Sequence, residues 1–214
     1  MSTKLLIADD HPIYRAAIAQ ALREILPAVT ISEASSLSSL EAAIAAEPDL
    51  DLVLLDLHMP GAQGFSSLIY LRGECPALPV LVISSDDHPQ TVRRAQQFGA
   101  AGFIPKSVPV GTLQSAISAV LAGGHWFPAA KADRNPADAE LAAKLAQLTP
   151  QQFRVLLAIA DGRLNKQIAQ DFGLAENTVK VHVSAILEKL GCYSRTQAAV
   201  LVKSLDASTG IETP

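Results

Sequence analysis

Five short apolar runs punctuate the first half of the chain, at Lys4–Ala8, Val29–Glu33, Leu52–Leu55, Val80–Ser84 and Gly102–Ile104. Between and after them, "YRAAIAQALREIL", "SSLEAAIAAE", "FSSLIYLRGE", "PQTVRRAQQFG" and "VGTLQSAISAVLAGG" carry apolar residues at helical spacing. Continuous apolar strands alternating with helices predict a parallel sheet covered on both faces. Five such units make a doubly wound α/β domain that ends near Gly124.

Beyond it the pattern changes. "GGHWFPAAKADRNPADAELAAKLAQ" is rich in Gly, Pro, Ala and charge and reads as a linker, with a short helix over Ala137–Gln147. Trp126 and Phe127 are expected to pin that linker to a domain surface. From Leu148 the strand signal is gone. "TPQQFRVLLAIADG" places Thr149 at an N-cap, Pro150 at the first helical position and Gly162 past the end. Helical patterns follow at Asn165–Phe172, Glu176–Leu190 and Arg195–Leu205, and the short break "DFGLAENT" has the length of a helix-turn-helix. The expected divisions are 1–122 for the first domain, 123–147 for the linker, 148–205 for the second domain and 206–214 for a tail.

Composition narrows the classes. The chain has 214 residues, 49% of them hydrophobic and 18% charged, ample for a core and wrong for disorder. No apolar run reaches the roughly 18 residues of a membrane span, and no signal peptide opens the chain, so a soluble cytoplasmic protein is expected. The two cysteines, Cys75 and Cys192, suggest neither a disulfide framework nor a zinc site. The net charge of −4 conceals a split. Residues 1–147 carry 10 Lys and Arg against 15 Asp and Glu, whereas residues 148–214 carry 7 against 6. An acidic front and a mildly basic back suggest domains with different partners, and allow the front to cover the back.

In an open α/β sheet, ligands bind at the carboxyl ends of the strands. Asp9 and Asp10 end the first predicted strand in "IADDHP", and Asp56 ends the third in "DLVLLDLHMPG". Ser84 and Ser85 end the fourth, and Lys106 follows the fifth in "GFIPKS". Any one of these residues alone is usually a solvated turn or cap, and Asp10 could cap the first helix ahead of Pro12. Together they bring three carboxylates, hydroxyls and an ammonium to one edge. Clustered carboxylates repel unless a cation joins them, and hard oxygen ligands favour Mg²⁺. The histidines at 11, 58, 88, 125 and 182 are scattered and fit no metal spacing, and no glycine loop supports ATP binding.

"IADDHP…LLDLHMPG…VISS…GFIPKS" resembles the receiver domain of two-component response regulators, which has a flavodoxin-like fold. The resemblance implies that Asp56 accepts a phosphoryl group from a sensor histidine kinase. It implies Mg²⁺ held by Asp9, Asp10, Asp56 and the backbone carbonyl of His58, with Lys106 on the phosphoryl oxygens. Ser84 would reach toward phosphorylated Asp56, and Phe103 would be the aromatic that changes rotamer and packs inward with it. Ser107 stands where many receivers have a proline in cis, so a trans peptide is expected there. Phe103 replaces a common Tyr and offers packing without a hydroxyl.

The back of the chain, "LTPQQFRVL", "NKQIAQDFGLAENTVKVHVSAILEKLG" and "RTQAA", is similar to the LuxR/FixJ-type DNA-binding domain. In Glu176–Leu190, Val179, Val183, Ile186, Leu187 and Leu190 form one apolar stripe, with Lys180, Ser184 and Glu188 opposite. Such a second helix enters the major groove. The resemblance implies base contacts from Lys180 and Val181 with Ser184 on the same face, phosphate contacts from Asn165, Lys166 and Thr178, and a dimerising helix over Arg195–Leu205. Ala175 at the helix N-cap, Gln151–Gln152 and Ser184 depart from the family pattern. A receiver joined to this domain is similar to the NarL type. The expected protein is a transcription factor and not an enzyme: phosphorylation of Asp56 switches a homodimer onto double-stranded promoter DNA, away from any membrane. The alternative is a factor whose receiver serves only as a dimerisation platform.

Overall fold

A computed structural model describes residues 2–26, 28–128 and 136–205. The chain forms two compact units, Met1–Asn135 and Pro136–Pro214. The tail expected at 206–214 and part of the linker, 129–135, lie outside the described residues.

Unit 1 runs β1 (Thr3–Ala8), α1 (Pro12–Ile25), β2 (Val29–Ala34), α2 (Leu37–Ala46), β3 (Leu52–Asp56), α3 (Ser66–Glu74), β4 (Val80–Ser84), α4 (Pro89–Gln97), β5 (Gly102–Pro105) and α5 (Val110–Leu121). Every strand and helix read from the apolar pattern is present, with ends that match or shift by at most three residues. The sheet is five-stranded and parallel, in the order β2-β1-β3-β4-β5. Every residue of β3 and β4 is buried, because right-handed crossovers put helices on both faces.

Alternation along the strands divides the core in two. Leu5, Ile7, Leu52, Leu54, Leu81, Ile83 and Ile104 point to the face closed by Ile18 and Leu22 of α1 and by Leu113, Ala116 and Ile117 of α5. The alternate residues Leu6, Val53, Leu55, Val82 and Phe103 are fully buried on the opposite face. There the Arg94 guanidinium of α4 is sunk against Phe65 and Phe98, 5.2 and 5.7 Å from the two ring centroids.

The chain leaves β1 toward β2 on one side and returns to β3 on the other. That reversal opens a crevice at the carboxyl ends of β1 and β3. The α1 entrance differs from one expectation: His11 is the N-cap residue, and Asp10 does not cap the helix.

Trp126 extends the sheet by one residue beside β5. Its carbonyl accepts the Phe103 N–H at 2.7 Å and its own N–H donates to the Ala101 carbonyl at 3.1 Å. Trp126 thus ties the segment after α5 to unit 1, as the sequence suggested.

Unit 2 holds α6 (Pro136–Leu145), α7 (Pro150–Ala160), α8 (Asn165–Phe172), α9 (Glu176–Leu190) and α10 (Arg195–Lys203). Thr149 caps α7 as expected, through a reciprocal box. Its hydroxyl accepts the Gln152 N–H at 3.2 Å, while Gln152 Oε1 accepts the Thr149 N–H at 3.1 Å. Gln152, noted as a departure from the family pattern, is therefore a structural residue, and Lys189 Nζ donates to it from α9 at 2.8 Å. Gly173, at φ +64°, ends α8 and turns the chain into α9 in a left-handed conformation that suits glycine.

Gly102 marks where this architecture is least tolerant. A Cβ there would sit 2.6 Å from the Trp126 carbonyl oxygen and 2.6 Å from Leu81 Cδ1. Gly102→Ala should destabilise unit 1 by about 1–3 kcal/mol. Urea unfolding followed by emission of the single tryptophan, Trp126, checks it, because the displaced reporter should also shift to longer wavelength in the native state.

Candidate functional site

The crevice between β1 and β3 collects the residues the sequence singled out. Asp9 follows β1, Asp56 closes β3, and both are 2% exposed. Lys106, carried in on the far end of β5, answers both: its Nζ lies 2.8 Å from Asp56 Oδ2 and 2.8 Å from Asp9 Oδ2. The Asp9 carboxylate is also held by the His11 N–H at 2.7 Å, and its carbonyl by Arg15 Nη1 at 2.7 Å. The His58 N–H donates to Asp56 Oδ1 at 3.3 Å.

One lysine cannot neutralise this pocket. Burial raises the Asp56 pKa above the usual carboxylate range, and the Asp9 charge adds to this against the opposing pull of Lys106. Burial also works against the Lys106 ammonium, but its bonds to Asp56 and Asp9 outweigh that and its pKa is raised. Tyr14, whose ring lies 4.9 Å beneath Lys106 Nζ, is pushed up to about 12 by burial and then by the two carboxylates.

Asp10 keeps 34% of its side chain exposed, yet its Oδ1 is shielded and accepts no hydrogen bond. A shielded carboxylate oxygen beside two buried carboxylates, with only the His11 imidazole close to it at 2.8 Å, fits a hard divalent cation. Asp9, Asp10, His11 and Asp56 each offer one ligand atom, and those atoms lie within 4.8 Å of one another.

His11 belongs to this cluster, contrary to the expectation that the histidines are scattered away from any metal geometry. Its Nδ1 lies 3.2, 2.8 and 3.8 Å from oxygens of Asp9, Asp10 and Asp56. Its place directly after two aspartates was the available signal. Nothing in the sequence pointed to Tyr14.

Ser84 ends β4 fully buried beside β3, and its Oγ accepts the Asp86 N–H at 3.1 Å. Phe103 is fully buried on the sheet face opposite α1 and α5. No peptide among the described residues is cis, so the Lys106–Ser107 bond is trans as Ser107 implied.

In unit 2 the expected stripe of α9 faces inward: Val179, Ile186 and Leu190 are buried, with Val183 and Leu187 half-buried. Thr178, Lys180, Val181 and Ser184 are exposed, and Val181 is 62% exposed despite being apolar. Ala175 leaves the start of α9 without a side-chain cap. Lys180 pairs with Glu176 one turn back at 3.2 Å, and Ser184 Oγ donates to the Lys180 carbonyl at 3.1 Å. Lys166 is exposed at the start of α8, and Asn165 Oδ1 accepts from Arg195 Nη1 at 2.7 Å. Arg195, expected only as the start of a dimerising helix, thus holds the α8 entrance as well.

Residues 5–118 match the family model described as response regulator receiver domain, and residues 146–202 match bacterial regulatory proteins, luxR family. The chain belongs to the DNA-binding response regulators. This regulator is 41% identical over 212 residues to the glycerol metabolism activator of Pseudomonas putida, covering 95% of this chain and 96% of that one. It is 34% identical over 203 residues to the nitrate/nitrite response regulator NarL of Escherichia coli K12, covering 92% and 94%. The structure of RcsB from Salmonella enterica serovar Typhimurium superposes with a TM-score of 0.56 at 22% identity, covering 96% of this chain and all of that one, a likeness of fold. No described helix is long and apolar enough to cross a membrane.

The raised Asp56 pKa makes its ionisation unfavourable to the fold. The folded value lies above the unfolded one, so the folded state holds the proton more tightly, and stability is lost as pH rises from the ordinary aspartate range through the raised value. In metal-free buffer at pH 7, Asp56→Asn should therefore be more stable to urea than the parent. The gap should close as pH falls below the ordinary aspartate range.

Proposed function

We propose that Asp56 is the phosphoacceptor of this response regulator and that a sensor histidine kinase supplies the phosphoryl group. The supporting observation is the Asp9–Lys106–Asp56 arrangement at the crevice, with both lysine contacts at 2.8 Å. An Asp56 carboxylate oxygen attacks phosphorus in line. The new P–O bond forms as the bond to the donor's phosphoryl-bearing atom breaks, and the electron pair leaves with the donor. Lys106 stands where the phosphoryl oxygens come to rest and stabilises their charge without reorganising. Asp9, Asp10 and Asp56, with the His58 carbonyl, would hold Mg²⁺, which when bound supplies charge neutralisation for those oxygens. Arg15 keeps the backbone at Asp9 in place, and Tyr14 shields Lys106 from water on its inner side.

The same proposal places α9 in the major groove of double-stranded promoter DNA. Lys180 and Val181 read base edges, Ser184 lies on the same face, and Asn165, Lys166 and Thr178 meet phosphate. The exposure of all of these but the half-buried Asn165 supports this, as does the inward stripe that fixes which face of α9 stays free. The Lys180–Glu176 pair is a surface interaction worth a few tenths of a kcal/mol, so DNA can displace it at little cost. Arg195–Leu205 supplies the homodimer contact on DNA, and the site of action is the cytoplasm. The RcsB structure was obtained bound to a promoter in the presence of a phosphomimetic, and such a coupling is proposed for this chain.

Incubation with a small acyl phosphate and Mg²⁺ should add one phosphate by intact-mass spectrometry. The adduct should be absent in Asp56→Asn and when the metal is chelated, and equal labelling of the variant would remove Asp56 from its role. Lys180→Ala should weaken binding to the cognate site by about 1–3 kcal/mol and relax preference at one position in each half-site. Quantitative footprinting across a set of single-base variants measures both.

A further inference from the structure

Two helices of unit 2 meet through one side chain. Arg195, the first residue of α10, is half-buried and reaches the entrance of α8, 30 residues earlier in the chain. Its Nη1 donates to Asn165 Oδ1 at 2.7 Å, and its Nη2 donates to the Arg163 carbonyl. A guanidinium carries donors and no acceptor, so an amide that meets it must turn its oxygen inward. Flipping the Asn165 amide would set its NH2 group against the guanidinium and leave donors on both sides without an acceptor. The bond thus decides which end of the amide is which. Oδ1 faces Arg195, and Nδ2 is left on the far side. Among the described residues nothing accepts from Nδ2, and it is not one of the buried polar atoms without a partner, so it opens to solvent.

We propose that Arg195 is a positioning residue for DNA binding, holding the Asn165 amide with its two N–H donors turned out toward a backbone phosphate; this rests on Asn165 as a phosphate contact. An amide held in this way meets the phosphate without giving up side-chain freedom at the moment of binding. The helix that supplies the proposed homodimer contact thereby sets the grip of α8 on the DNA backbone. The rival cause is the Arg195 charge acting on a phosphate directly. Both of its terminal nitrogens already donate within the domain, which argues against that. The two causes also differ in salt dependence. A neutral amide displaces no counterion from DNA, whereas a charged contact releases about one.

The test uses the full chain and a fluorescein-labelled duplex of random sequence, because a phosphate contact is blind to sequence. Asn165→Ala should bind about tenfold more weakly per bound protomer, the factor for one hydrogen bond to a charged group. Arg195→Ala should lose about fivefold, the cost of ordering a freed side chain. Made in Asn165→Ala, the same change should cost nothing further, because no amide is left to hold. Nitrogen relaxation of the Asn165 side-chain amide in the DNA-free chain gives a second readout. That amide should be rigid in the parent and mobile in Arg195→Ala. Arg195→Lys keeps the charge without the planar fork that spans both acceptors, and takes over the comparison if Arg195→Ala fails to fold. Additive losses in the double variant overturn the proposal, as does a variant that frees the amide without loss of affinity or loses affinity with the amide still rigid. An Arg195→Ala amide as rigid as the parent's does the same. A plot of log affinity against log salt that becomes shallower by about 0.9 in Arg195→Ala puts the Arg195 charge itself on a phosphate and also overturns the positioning role. Parental affinity in Asn165→Ala removes the phosphate contact of Asn165 instead, and the proposal falls with that premise.

Discussion

The Lys106 ammonium, bonded at once to Asp9 and Asp56, is the interaction on which unit 1 depends. Two carboxylates buried this deeply cannot face each other across a crevice without a counter-charge. The sheet brings the lysine there: parallel strands all end on the same edge, so a residue just past β5 lies over residues just past β1 and β3. The sheet therefore has to be parallel, and its faces have to be covered by helices. The apolar strands, the α1–α5 layer and the closing of the segment after α5 by Trp126 all serve that geometry.

Neutralisation stays incomplete, and the chemistry follows from that shortfall. An Asp56 pKa raised by burial and by the Asp9 charge, a shielded Asp10 oxygen with only His11 beside it, and a Tyr14 pKa raised by burial and then by the two carboxylates describe a buried pocket with surplus negative charge. Such a donor set suits a hard divalent cation, and Lys106 is placed to meet further negative charge at Asp56. The same sheet edge carries Ser84, from which bonded contacts run to α4.

In unit 2 the organising constraint is burial of one face of α9. Val179, Ile186 and Leu190 pack inward, and Lys180, Val181, Ser184 and Glu188 are left to solvent in an order set by the helical period. Caps then set the angles between helices: the Thr149–Gln152 box starts α7, Gly173 turns α8 into α9, and Arg195 holds the α8 entrance through Asn165.

The sequence by itself determined the elements and their order, because apolar spacing is local and reads directly as buried strand or amphipathic helix. It also determined that Asp9, Asp10, Asp56, Ser84 and Lys106 share one edge, since parallel topology and strand ends suffice to place them. Gln152 was legible only in part: the Thr149 cap could be seen, but not that Gln152 completes it and takes a bond from Lys189. Tertiary structure decided what depends on side-chain direction between distant segments. It turned His11 into the acid cluster, laid Tyr14 under Lys106, joined Arg195 to Asn165 and seated Trp126 on the edge of β5. Lys106 and Asp56 are 50 residues apart in sequence, and their contact comes from strand register and the packing of both sheet faces, which no local period encodes.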